Sequence, residues 1–566
     1  MPPQSSVAIH LEPAEWVLIE LLLDYRASLP YDSAQGLQIR FVGKHVRYKL
    51  LGQTWNEIEV SINMCPLQFR SELKALYFRD QEKYTKRAES LRAIPNIGII
   101  KYPIKLMIPP YRVVYQVTIF GLDICFTDSR AAGWFNPIIF SPETGRVVTD
   151  AVTDAFNRDA TIDSLAYNVV TQEIEDSTGY GLHDLKNGII RTPIHEGIVL
   201  KKDPFCFFRL IREACTTGYR ISHNMVVLMK NTSVLRCITK GKALHKFSID
   251  NLRAEIMEII NGADPGRGLS LIHMSLLYPV IFVYPRVTPR LWQIHSPRLG
   301  YQFGRWKSNS SLVYSTVDCL LADPIHRKSN MGKYLLWIDT ENLWLLAVFS
   351  HFGQLRTNIG TVKRDEGIVE TIANEARAFH PETAISDLLR DCLKNMNDIH
   401  SYVEEPDFSS LKRSDIGLAL RYWGITWRFQ VLYAMLADIA HIAFDRESLT
   451  DVLLRYDRFL GYIFHNKLEY ALFLDPILTR QDIEDMFDLR KRSCLNALVY
   501  EAVVSWQLDN PRGSRQEVIE WVSHMILTRT GPRVGSRDHT MVLDAFSGPL
   551  SRRDDTQPPP AKRIKR

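Results

Sequence analysis

Strand-like alternation of polar and apolar residues is concentrated, mixed with helix, in roughly the first 130 positions of this 566-residue chain, and helical periods dominate from Ala151. Gln38 to Val42 reads as a strand stopped by Gly43, and His45 to Leu51 as a short helix ending at Gly52. Glu57-Ile-Glu-Val-Ser-Ile62 alternates as a half-buried strand, and Val113 to Phe126 reads as two strands turning at Gly121. A turn-rich stretch, Asp176 to Pro193, interrupts the helical part. Residues 366–395, 411–444, 448–468 and 495–508 read as amphipathic helices. Tyr334 to Phe349 is a second strand-like patch, where periodicity alone fits a strand or a buried helix alike. This distribution predicts an α+β chain, with a small mixed sheet near the N-terminus and helices thereafter.

With 46% hydrophobic and 23% charged residues, the chain has the composition of a folded, multi-domain protein. The formal charge of +5 permits a nucleic-acid partner without demanding one, because clustering matters more than the sum. Eight cysteines without a C-x-x-C pair, and sixteen histidines without a His-Glu-x-x-His pattern, give no zinc site or disulfide framework. The apolar stretch Leu269 to Tyr284 contains His273 and Pro279 and is too short to span a bilayer, so no membrane partner is expected. Glu12, Glu15 and Glu20 near the N-terminus argue against a signal or mitochondrial transit peptide. Residues 546–566 are rich in proline and charge and predict a disordered basic tail. Its end, Pro560-Ala-Lys-Arg-Ile-Lys-Arg566, suits a nuclear import receptor, or a solvated tail that adds RNA affinity. The expected location is thus the nucleus, the cytoplasm or both, and the N-terminus does not indicate a mitochondrial form.

Three segments carry a family likeness: Ala155 to Asn168, Ile174 to Pro193, and Asp203-Pro204 followed by Arg209-Leu-Ile-Arg212. In this order and spacing they resemble the head and neck motifs of the tRNA nucleotidyltransferases, the CCA-adding enzymes with a poly(A) polymerase type of head. Val503 to Pro511 extends the resemblance, which covers roughly residues 10–523. It implies an α+β nucleotidyltransferase head with a small mixed sheet over residues 1–195. A helical neck with the nucleotide template would follow at 196–265, and a helical, RNA-binding body and tail at 266–545. The activity implied is addition of C, C and A to tRNA 3′ ends from CTP and ATP with Mg²⁺, on tRNA or a tRNA-like RNA.

The positions that bear this chemistry depart from the family pattern. Phosphoryl transfer to a 3′-hydroxyl uses divalent metal, and the resemblance implies that it is held by two aspartates on alternate residues of a strand, after a helix opened by Gly-Gly. Here Gly43 is followed by Lys44, and the two acids are Glu57 and Glu59. These are the candidate catalytic and metal-ligating residues, each carboxylate one methylene further out; Glu-x-Glu on an amphipathic strand is equally the mark of a solvated face. Lys44 either obstructs the approach of phosphate to the backbone or supplies a compensating charge. Arg47 and Lys49 are candidate phosphate contacts or a basic helix face.

The family's ribose-selecting Arg-Arg-Asp is Asn157-Arg158-Asp159, and its base-reading acidic-Asp-x-x-Arg is Lys202-Asp203-Pro204-Phe205-Cys206. A thiol replaces an arginine fork that offers a planar, multi-donor edge to a base. Asp203 is also a possible helix N-cap before Pro204. Gly43, Lys44, Arg47, Arg130, Arg158, Asp159, Asp203, Arg209 and Arg212 are the candidate nucleotide-binding residues, with Arg130 alternatively a surface ion pair. Asp123 and Asp128 are further carboxylates near the site or a solvated strand edge. Arg480, Arg490, Lys491 and Arg492 are possible phosphate contacts to RNA. The resemblance, with these replacements, implies a catalytically impaired or inactive relative that retains tRNA binding. The alternatives are an active enzyme with Glu57 and Glu59 as metal ligands, and a protein-interaction scaffold.

Overall fold

The computed structural model describes residues 9–55, 57–95, 115–130, 150–203, 205–230, 249–275, 277–282, 309–322, 329–335, 338–351, 383–408, 411–442, 446–487 and 493–529. The C-terminal cluster, residues 366–382 and 488–492 lie outside that set. The chain forms two compact units, Met1–Tyr314 with Ala378–His380, and Ser315–Arg377 with Pro381–Arg566.

The first unit is organised by a six-stranded mixed sheet. Its strands are β1 (Ile39–Val42), β2 (Glu57–Ile62), β3 (Tyr115–Ile119), β4 (Leu122–Asp128), β5 (Ala166–Asn168) and β6 (Glu173–Glu175), in the order β3-β4-β2-β1-β5-β6. β2 and β4 run parallel, with Glu57 opposite Asp123, Glu59 opposite Cys125 and Ser61 opposite Thr127; the other neighbours are antiparallel. Period-two alternation decides what each face meets. Ile58, Val60, Ile62, Ile124 and Phe126 are buried on one face. There Phe69, from the helix Pro66–Arg79, packs edge-on against Phe126 at 5.3 Å and against Tyr25 of the helix Pro13–Ser28 at 4.9 Å. The opposite face carries Glu57, Glu59 and Ser61.

The segment after the sheet is fixed by short-range hydrogen bonds. Asp176 accepts from the amides of Gly179 and Leu182 at 3.0 Å each, and Gly179 has φ +72°. A Cβ on Gly181 would lie 2.7 Å from Leu165, so this turn needs glycine for room. The fully buried Asp184 accepts from Thr161 at 2.7 Å and pairs with Arg191 at 3.1 Å. The helix Cys206–Thr217 follows and is buried along most of its length.

The described part of the second unit is helical. The described residues of 334–349 form no strand; they lie in two helices, Asn330–Leu335 and Thr340–Phe349, and the turn before the second. The Asp339 side chain caps the second by accepting from the Asn342 amide at 3.0 Å, and Leu343 to Phe349 are all buried. A helix apolar all round has no periodicity to read. Residues 411–444 divide into Arg413–Trp423 and Trp427–His441 at Gly424, whose φ of +75° suits glycine. The remaining predicted segments appear as Thr383–Val403, Arg446–His465 and Ser493–Asp509. Among the described residues no helix is long and apolar enough to cross a membrane.

Candidate active site

Glu59 lies on the central strand β2 and accepts from both arms of one guanidinium. Arg158 Nη1 is 2.6 Å from Oε2, and Nη2 is 2.8 Å from Oε1. The same Nη2 reaches Asp154 Oδ2 at 2.9 Å, to which Ser61 also donates at 3.1 Å; Thr127 donates to Glu59 at 3.3 Å. Asp154 is 5% exposed and Arg158 11%. Burial disfavours the guanidinium's charge, but Asp154 and Glu59 more than reverse that and hold its pKa far above the ordinary value. Glu57, further out on the strand, accepts from Cys125 at 2.8 Å; burial first, then this carboxylate, pushes the thiol's pKa up. Gly43 stands over the pair at φ +76°, where a Cβ would lie 3.1 Å from Glu59 Oε2 and 3.4 Å from Arg158 Nη1.

A divalent cation on this edge needs the oxygens that Arg158 already engages. Mg²⁺ takes a near-octahedral set of about six oxygens, whereas both oxygens of Glu59 face a planar fork. Among the described residues no group of three His, Cys, Asp or Glu is placed to hold a metal. In this arrangement the residues do not fit the ion.

On the helix Lys44–Leu50 that follows Gly43, Arg47 faces inward while Lys44 keeps 38% of its side chain exposed. Lys44 Nζ is 2.6 Å from Glu213 and lies over the Trp55 ring. Arg47 has no exposed side-chain surface and bridges Asp163 and Glu213 at 2.8 Å each. Lys49 is 2.9 Å from the buried Glu15. Arg130 pairs with Asp128 on the surface at 2.9 Å, and Asp123 accepts from Thr118 at 2.9 Å.

The third cluster joins the segment before β5 to the helix Cys206–Thr217. Arg209 reaches Asp159 through Nε and Nη2 and Asp203 through Nη2, each contact 2.7 Å. Asp203 also accepts from the Phe205 amide at 3.0 Å, so it shapes the turn into the helix Cys206–Thr217. Cys206 is fully buried; burial and then Asp159 raise its pKa well above that of a free thiol. Arg212 lies 3.5 Å from Glu255. The structure thus gathers Gly43, Glu59 and Arg158 in one cluster, Asp159, Asp203 and Arg209 in a second, and Lys44 and Arg47 in a third. Asp154 was missed by the sequence reading, although an acid and an arginine four apart at a helix end are a legible signal.

A family pattern described as the poly A polymerase head domain matches residues 39–191. The chain is 25% identical over 544 residues to the mitochondrial CCA tRNA nucleotidyltransferase of Candida glabrata, covering 92% of this chain and 96% of that one. Identity to the mitochondrial CCA tRNA nucleotidyltransferase of Saccharomyces cerevisiae is 26% over 544 residues, covering 90% and 93%. Among solved structures, a CCA-adding enzyme in complex with ATP shares the fold with a TM-score of 0.53 at 15% identity, covering 93% of this chain and 97% of that one. The expectation of a nuclear or cytoplasmic protein without a mitochondrial form is overturned by the two yeast relatives, both named as mitochondrial. A short run of basic residues is chemically ambiguous, since the same charges serve a solvated tail, and acids near residue 12 do not decide targeting.

Proposed function

We propose that this chain, which belongs to the family of CCA-adding tRNA nucleotidyltransferases, is a catalytically impaired member that still binds tRNA or tRNA-like RNA. The observation that carries the reading is the bidentate grip of Arg158 on Glu59, with Asp154 on the same guanidinium. An acid held by an internal cation is a poor partner for metal-bound triphosphate, and catalytic geometry tolerates only about 0.5 Å of error. The enclosure of Asp203 by Arg209, beside a buried thiol at Cys206, supports weak base selection for the same reason. CTP and ATP are the nucleotides this site would take, at reduced rate. Glu57, Glu59, Gly43, Arg158 and Asp159 line the reacting edge in this reading. Arg47 and Lys49 serve the head's internal packing. RNA would be held through shape and phosphate contacts.

Incorporation of CMP and AMP into tRNA lacking its 3′ end tests the reading. A rate at least about 100-fold below that of an intact family member is expected, the usual consequence of a catalytic group displaced by about 1 Å. Salt-sensitive binding should favour tRNA over single-stranded oligonucleotides of equal length. A rate within ten-fold of an intact enzyme would instead support Glu57 and Glu59 as working Mg²⁺ ligands. Equal, salt-insensitive affinity for both RNAs would favour the scaffold reading.

A further inference from the structure

We infer that Arg158 is a built-in cation that closes the carboxylate edge of the head to divalent metal, and that removing its charge turns Glu59 and Asp154 into a metal site. The helix Asp150–Phe156 places Asp154 in its last turn, where a negative charge meets the negative end of the helix dipole. That carboxylate is also nearly fully buried, so it requires a cation close by. Arg158 lies four residues on, just beyond the helix, where it supplies that cation.

Glu59 approaches from the sheet. Its longer side chain lets both oxygens meet the fork in two parallel hydrogen bonds, the strongest arrangement available to a guanidinium and a carboxylate. Gly43 leaves room for the pair, since a Cβ there would crowd both Glu59 Oε2 and Arg158 Nη1. Two carboxylates around one arginine leave a net local charge of −1. Without the arginine the charge is −2, on acids that both lie within 2.9 Å of the same vacated nitrogen position, with the Ser61 hydroxyl on Asp154. Hard oxygen ligands at such separation suit a divalent cation. The fixed arginine and a metal therefore compete for one place.

This deepens the impaired-enzyme reading and rests on it, yet Mn²⁺ binding can be measured without substrate. Mn²⁺ is titrated into the full-length protein and followed by electron paramagnetic resonance, and the signal that Glu59→Gln removes is assigned to this edge. The wild-type protein should show no such binding below millimolar Mn²⁺. Arg158→Met should bind at least about 100-fold more tightly, a conservative ratio for the loss of three charge-assisted hydrogen bonds to these acids. Arg158→Lys, which keeps the charge, should behave as wild type, and adding Glu59→Gln to Arg158→Met should abolish the gain. Micromolar wild-type binding lost in Glu59→Gln overturns the inference even if Arg158→Met does not fold, and so does a folded Arg158→Met that binds no better than wild type. A slow enzyme with a wild-type Mn²⁺ site at Glu59 sinks this inference alone. A fast enzyme without one sinks the impaired reading alone.

Discussion

Arg47 shows what a single residue can conceal in a sequence. It stands in a basic run, Lys44, Arg47 and Lys49, that looks like a phosphate-facing helix, yet its partner Glu213 is 166 positions away and its side chain has no exposed surface. Nothing local to the run discloses that pairing. Removing the guanidinium leaves the half-buried Asp163 without this partner, while Glu213 keeps Lys44 at 2.6 Å. Arg47→Met should therefore cost about 3–5 kcal/mol, the usual consequence of breaking a buried ion pair from one side. The check is the denaturation midpoint at unchanged slope, and adding Asp163→Asn should recover part of the loss. A midpoint unmoved by Arg47→Met would mean that the pair is solvated. Arg158 and Asp154 are the opposite case: their spacing of four is legible at once, and only the approach of Glu59 from another element is not.

At the scale of elements, the three helices Cys206–Thr217, Ile249–Ile260 and Pro265–Met274 meet at Gly268. A Cβ there would lie 2.3 Å from Ile259 Cγ2 and 2.9 Å from Cys215 Sγ. Gly268→Ala should cost about 1–3 kcal/mol by overpacking and lower the first unit's melting temperature by several degrees. Gly36→Ala, where a Cβ meets nothing within 4 Å, is the matched control and should stay within about 0.5 kcal/mol. Equal effects at the two positions would refute close packing at Gly268. Elements were legible where their period was long and one-sided, as in β2, β4 and Arg446–His465. They were not where the pattern was too short or too uniform. β5 and β6 are three residues each, and Thr340–Phe349 is buried on every side from Leu343 onward. The parallel pairing of β2 with β4 joins segments distant in sequence, so no local pattern specifies it.

The whole molecule carries its acid sensitivity unevenly between the two units. In the first, burial lowers His45 to about 4, with nearby Lys49 adding to the shift, and burial lowers His273 to about 3. His273 is stacked on Tyr278 at 4.1 Å and lies 3.1 Å from the Tyr314 hydroxyl. In an unfolded chain both would titrate near 6.5, so between that value and 3 to 4 the unfolded state binds more protons and stability falls as pH falls. Glu15, raised by burial despite Lys49, Glu255, raised by burial despite Arg212, and Asp163, pushed up by burial to about 6 despite Arg47, oppose the trend. The second unit is balanced differently. Burial lowers His441, whereas in His400 the same penalty is outweighed by Asp438 at 3.1 Å, so its pKa is raised. A raised histidine stabilises below its unfolded pKa and loses that contribution as pH rises, which offsets His441. Calorimetric scans at pH 7.5 and 5.0 should therefore lower the melting transition of the first unit more than that of the second. His273→Gln, which keeps a polar group near Tyr314 but cannot titrate, should shrink the first unit's shift by about 1–2 kcal/mol at pH 5. A larger shift in the second unit, or no change in His273→Gln, would show that the buried imidazoles do not control the acid response.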